Sequence, residues 1–109
     1  MSNQLTLDHA LDALGDPMRR RIVERLASGP LPVGELSRLL PIGRPAVSRH
    51  LRVLGDAGLV RHTAEGTRNF YALAPDGPLE LQRWLSAQWD AALQSFAAFV
   101  AAHTEGPDQ

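Results

Sequence analysis

The sequence predicts a mainly α-helical fold with one small β-hairpin, in the order α-α-α-α-β-β-α, and three observations carry that expectation. Between Val33 and Ala57, two helical patterns are separated only by Pro41-Ile42-Gly43. Directly after Gly58, two β-prone runs flank a polar tip that contains glycine. A long helical pattern rich in apolar residues then runs from about Pro78 to about Ala102. With 109 residues, 44% of them hydrophobic, the chain suits one domain over 1–109 with a small core that gains from a partner subunit.

Leu5, Leu7, Leu11 and Leu14 give a short apolar pattern around Asp8 and Asp12, a packing helix over 5–15 that ends at Gly15. Asp16 then caps a second helix with Pro17 at its first position, and Met18, Ile22, Val23 and Leu26 form its inward face before Ser28-Gly29-Pro30 ends it. Arg19, Arg20, Arg21 and Arg25 cannot all point one way. Some are solvated or paired with Glu24, while one or two are placed to reach a phosphate. A short third helix over Pro32–Leu40 follows, and the fourth begins after Pro41-Ile42-Gly43.

On that fourth helix, Val47, Leu51 and Leu54 fall within one narrow sector, a buried stripe. Pro45, Ser48, Arg49 and Arg52 project from the opposite side, with Arg44 at its margin and no acid before Asp56. Pro45 fits a first helical turn and pushes Arg44 out of the helical region, so the helix is expected to begin at Pro45; Gly58 marks its stop. Taken alone, the arginine face is either a solvated surface or a recognition surface. Its position favours the second: two helices across a tight turn with glycine, over 33–57, make a helix-turn-helix whose second helix enters the DNA major groove. Val33, Leu36, Leu40, Ile42, Val47 and Leu51 are the apolar contacts expected to fix the angle between the two.

Over 59–73, Leu59 to Thr63 and Arg68 to Leu73 flank the tip Ala64-Glu65-Gly66-Thr67, and after a helix-turn-helix such a hairpin is a wing. Arg68, beside Gly66, is its natural probe, since a narrow minor groove attracts arginine. Ala74 to Pro78 is a linker, and the last helix, over 78–103, carries Leu81, Leu85, Ala92, Phe96 and Phe99 on one side with Trp84, Trp89, Leu93 and Val100 further round. That apolar width exceeds what one small domain uses. A two-fold dimer interface built with the first helix, from Leu5, Leu7, Leu11, Leu81, Leu85, Trp89, Ala92, Phe96 and Phe99, is the expectation; a ligand pocket lined by Trp84, Trp89 and Phe96 is the rival. Thr104 to Gln109 are expected to fray.

The formal net charge of -1 conceals a segregation. Residues 19–68 hold ten of the eleven arginines against four acids, a local balance of +6, while the flanks carry -7. A basic middle between acidic ends can present a positive face to DNA. The absence of cysteine excludes disulfides, thiolate zinc sites and thiol catalysis within this chain. No signal peptide or membrane-length apolar run is present, so a cytoplasmic protein with no membrane partner is expected. Nor is there a phosphate-binding loop, or a pair of carboxylates converging with a histidine, and Ser48 and His50 point apart on a helix. An enzyme is not expected, and no cofactor is implied.

Leu14-Gly15-Asp16-Pro17-Met18-Arg19-Arg20-Arg21-Ile22, Val33-Gly34-Glu35-Leu36, Pro45 through Leu54 and Ala57-Gly58-Leu59-Val60 together resemble the ArsR/SmtB group of bacterial winged helix-turn-helix repressors, over roughly Leu7 to Leu73. The resemblance implies a homodimeric repressor on an inverted-repeat operator in double-stranded DNA, relieved by an effector such as a small molecule. It assigns Arg44, Ala46, Ser48 and Arg49 to base edges, and Arg52, Ser37, Thr67 and Arg68 to phosphates or the wing contact. His50, on the flank of the apolar stripe, is expected to pack rather than read bases. The family's thiolate metal site has no counterpart here, where residues 31–36 read Leu-Pro-Val-Gly-Glu-Leu. Its last-helix carboxylate and histidine site is matched only by Asp90 and His103, the other two positions being Ala92 and Gly106. Two such ligands per subunit make a poor zinc site, so a non-thiol effector or none is expected. A metal-responsive repressor using Asp90 and His103 is the alternative, and a winged-helix interaction or dimerisation module is an alternative of another class.

Overall fold

A computed structural model describes residues 3–104, and the side chains of 5–104. Five helices and a small sheet follow one another as α1 (Asn3–Leu14), α2 (Pro17–Leu26), β1 (Leu31–Pro32), α3 (Val33–Leu39), α4 (Arg44–Asp56), β2 (Val60–Glu65), β3 (Arg68–Leu73) and α5 (Leu79–Thr104). The fold is the mainly helical, winged arrangement expected, with one addition. β1 pairs antiparallel with β3, Leu31 opposite Tyr71 and Pro32 opposite Phe70, giving a three-stranded sheet in the order β1-β3-β2. Pro32 lacks an N–H to donate, which suits it to the sheet edge it occupies.

Local chemistry sets each boundary. Asp16, with extended backbone, accepts the Arg19 N–H on Oδ2 at 3.1 Å and so satisfies an orphan donor at the start of α2, with Pro17 in the first turn. α4 ends in a Schellman motif: the Gly58 N–H donates to the Gly55 carbonyl and the Leu59 N–H to the Leu54 carbonyl, both at 2.9 Å. Gly58 has φ +77°, a conformation that a side chain disfavours. The hairpin turn is tighter than the four-residue tip expected. Glu65 pairs with Arg68, leaving Gly66 and Thr67 as the loop, with φ +64° at Gly66 as a II′ turn requires.

One core joins the first four helices to the base of the sheet. Ile22, Leu36, Val47, Leu51 and Leu54 are its largest fully buried side chains, and Ala10, Ala13, Leu26, Leu40, Leu59 and Val60 complete it. Val33 and Ile42 pack at its edge. α4 packs against α1, α2, α3 and β2, so this helix is fixed along one whole side.

α5 stands apart from that core. It packs against α1, and every residue from Gln82 to Thr104 is exposed. A radius of gyration of 20.0 Å and extents of 75 × 33 × 20 Å follow from it; a compact chain of this length would measure about 13 Å. Two residues assigned to a dimer interface lie elsewhere: Leu7 is buried in its own subunit, and Leu81 packs against the subunit core. Thr104 is helical, and the remainder of the tail expected to fray, with Gly106, lies outside the described residues.

Candidate nucleic-acid interface

The outer side of α4 gathers the side chains expected to meet DNA. Arg44, Pro45, Ser48, Arg49 and Arg52 are exposed, and Ala46 is half-buried. Directly behind them Val47, Leu51 and Leu54 are buried, so the arginines stand on a helix that cannot roll without breaking the core. The helix starts one residue earlier than expected: Gly43 is its N-cap, Arg44 its first residue and Pro45 its second. Proline tolerates that second position because its missing N–H would lack a partner there anyway. Arg44 thus enters the helix, and its guanidinium lies against Gly34, with Nη1 3.7 Å from where a Cβ would stand.

Two clefts flank this face. The first, of about 320 Å³, is bounded by Gly34, Arg38, Arg44, Thr67, Arg68 and Asn69, so that the starts of α3 and α4 meet the wing turn. Arg68 is exposed, and its guanidinium carbon lies 5.1 Å from the centre of the Phe70 ring, a cation–π contact that rests the charged end of the side chain on the wing. The second runs between α4 and β2 and is lined by Ser48, Arg52, Asp56, Arg61, His62 and Tyr71. His62 stacks on Tyr71 with ring centres 5.5 Å apart.

The geometry corrects one phosphate expectation, and two further arginines line the clefts. Ser37 lies one turn from Val33 and Leu40 on the inward side of α3, and its Oγ is buried with no hydrogen-bond partner, so it does not face a phosphate. Arg38, exposed and within 2.6 Å of Glu35, and Arg61 occupy the cleft rims that the sequence left unassigned. An exposed pair of this kind contributes little, so Arg38 remains available to an anion. Their signal was the count of arginines alone.

The arginines of α2 take a different role. Arg19 donates through Nε to the Ala13 carbonyl at 2.6 Å and through Nη2 to the Asp12 carbonyl at 3.3 Å, and Arg20 donates to the Leu14 carbonyl at 2.7 Å. They satisfy the open carbonyls at the C-terminus of α1, where a cation also complements the helix dipole. His50 is half-buried, beside Arg19 and Asp16 rather than among the exposed readers.

Asp90 and His103 are exposed on α5, about 20 Å apart along the helix. His103 Nδ1 donates to the Phe99 carbonyl at 2.8 Å and its ring stacks on Phe99. No group of three or more metal-ligating side chains forms among the described residues.

Known proteins share this arrangement. The profile of a family described as "Bacterial regulatory protein, arsR family" matches residues 16–62, which span α2 to the start of β2. The HTH-type transcriptional regulator Rv2034 of Mycobacterium tuberculosis is 49% identical over 108 residues, covering 99% of each chain. The transcriptional repressor SdpR of Bacillus subtilis is 28% identical over 67 residues, 62% of this chain and 74% of its own. The solution structure of the homodimeric winged helix-turn-helix DNA-binding domain of Mb0332 from Mycobacterium bovis superposes with a TM-score of 0.65 at 26% identity, covering 83% of each chain.

Proposed function

The chain belongs to the ArsR family of bacterial regulatory proteins, and from that membership we propose that it is a homodimeric repressor whose two copies of α4 read the halves of an inverted-repeat operator. It is a DNA-binding transcriptional regulator and not an enzyme. The arginine face of α4 carries the function: Arg44, Ser48 and Arg49 project from a helix locked on its other side, with no acid among them. Bidentate arginine to guanine is the commonest specific contact in the major groove, and Ala46 offers a methyl to thymine. Arg52 takes a phosphate, and Thr67 and Arg68 bring the wing to the adjacent minor groove or backbone.

Dimerisation falls to α5 with α1. Leu85, Trp89, Ala92, Phe96 and Phe99 are spaced four, three, four and three residues apart, the repeat of a coiled-coil seam, and all are exposed in the single subunit. Leu5 and Leu11 of α1, each 44% exposed, extend the same surface. The homodimeric Mb0332 domain supports this assembly, and the repressor SdpR supports the sign of regulation. An effector, where one acts, works without a thiolate, since the chain has no cysteine. No described helix is long and apolar enough to cross a membrane, and the cytoplasm is where such a regulator meets DNA.

Selection of bound duplexes from a random pool tests the proposal. Enrichment of an inverted repeat with half-sites about one helical turn apart is expected, with affinity falling steeply as salt rises. Failure to enrich any sequence at low salt would overturn the DNA role and leave an interaction module, which has no use for the arginine face.

A further inference from the structure

Arg19 reaches from the end of α1 to α4. Two of its nitrogens hold the C-terminal carbonyls of α1, and the third, Nη1, lies 3.4 Å from Nδ1 of His50 on the recognition helix. The same Nδ1 lies 3.8 Å from Oδ2 of Asp16, the oxygen that caps α2. A guanidinium only donates, so it can bond Nδ1 only when that nitrogen carries no proton. A carboxylate only accepts, so its contact strengthens when Nδ1 does carry one. The two contacts of this atom therefore belong to different protonation states.

We propose that His50 is a positioning residue for the recognition helix and works as a proton-dependent fastener. With Nδ1 bare, it ties α4 through Arg19 to the end of α1. With Nδ1 protonated, it releases Arg19, whose charge now repels it, and pairs with Asp16. Because α1 packs against α5, the first state couples α4 to the helices proposed to hold the dimer, and hence to the partner's α4. Resting as it does on the reading of α4 as the DNA-recognition helix, the device predicts that acid weakens specific binding more than non-specific binding, because only the specific mode needs both helices in register.

The charged groups placed against His50 are Asp16 and Arg19 of α2. Its neighbours one turn away on α4, Ala46, Val47, Val53 and Leu54, are uncharged, and α1 presents backbone carbonyls to the Arg19 fork rather than a carboxylate to the imidazole. Among the described residues, α3 and β2 bring no charged group into hydrogen-bond or ion-pair contact with it.

Two measurements on the full chain decide the matter. Two-bond proton–nitrogen spectra of the histidine rings at about pH 8.5 should show His50 with Nδ1 bare and Nε2 protonated. A neutral ring protonated on Nδ1 overturns the proposal. Binding to the selected operator and to an unrelated duplex of equal length is then compared between about pH 8.5 and about pH 5.5. The ratio of the two affinities should fall by about 5-fold or more in acid. In His50→Asn, whose Oδ1 stands near the place of Nδ1 and accepts from Arg19 at either pH, that step should vanish. An unchanged ratio in the natural protein, or an equal fall in His50→Asn, overturns the fastener. If no duplex is selected at all, the DNA role fails instead, and the ring spectrum still decides the contact.

Discussion

A Cβ at Gly77 would stand 2.6 Å from the carbonyl oxygen of Gly58 and 3.0 Å from Cα of Leu59, so the linker crosses the corner between α4 and β2 at a distance only glycine permits. The Ala74 N–H donates to the Leu59 carbonyl at 2.9 Å beside this crossing. Backbone contacts thus tie the linker before α5 to the end of α4. Gly77→Ala, whose methyl meets backbone rather than a yielding side chain, should destabilise the fold by about 1–3 kcal/mol, read from the midpoint of urea unfolding. An unshifted midpoint would mean the linker moves freely off that corner.

Gly58 offers a milder comparison. A Cβ there meets nothing within 4 Å, but φ +77° costs any L side chain about 1 kcal/mol. Gly58→Ala should therefore destabilise less than Gly77→Ala, and Gly58→Asn less again, because asparagine tolerates the left-handed region. The order of the three midpoints separates a conformational cost from a steric one.

Within the core, Leu51 and Leu54 are among the largest fully buried side chains. Leu54→Ala should cost about 2–5 kcal/mol by lost burial and the cavity left behind. Because the folded state is proposed to be a dimer, the melting midpoint of both proteins should rise with protein concentration, and the comparison has to be made at one concentration.

Much of this architecture was legible in the sequence, and what escaped it has physical causes. The stripe of Val47, Leu51 and Leu54, the Asp16-Pro17 start and the Gly58 stop are local signals, written within one or two turns of the residues they govern. β1 has none, since two residues become a strand only by pairing with Phe70 and Tyr71 from far along the chain. Nothing local singles out Arg19 and Arg20 among the four arginines of α2 as the ones whose side chains turn back onto the carbonyls of the preceding helix. Leu7 and Leu81 read as surplus apolar area because a sequence does not say which of two contacts, within the subunit or between subunits, uses a leucine first. The same limit hid the inward turn of Ser37.

The exposed seam of α5 makes a direct prediction. Trp89 and Phe96 are 62% and 63% exposed in the subunit, so a charge at either leaves the subunit core untouched. Trp89→Glu or Phe96→Glu should convert the dimer to a monomer in sedimentation analysis while the helical circular dichroism is retained, since two buried carboxylates would face each other across the two-fold axis. Operator affinity should fall with it, because one half-site alone retains only its own contacts. A dimer that persists in both variants would move the interface off α5.

Arg49 and Arg52 lie one turn apart on the same exposed face, yet they are expected to fail differently. Arg49 is proposed to meet a base edge, so Arg49→Ala should lose about 1–3 kcal/mol on the selected operator while changing little on unrelated duplex, which flattens sequence preference at one position of each half-site. Arg52 lines the cleft that α4 shares with β2, and its proposed partner is a phosphate. Arg52→Ala should weaken all duplexes alike and lower the slope of log affinity against log salt by about 1 for each subunit. If both variants instead weaken every duplex equally, then Arg49 also grips the backbone, and sequence is read by Arg44, Ala46 and Ser48 at the N-terminal end of the helix.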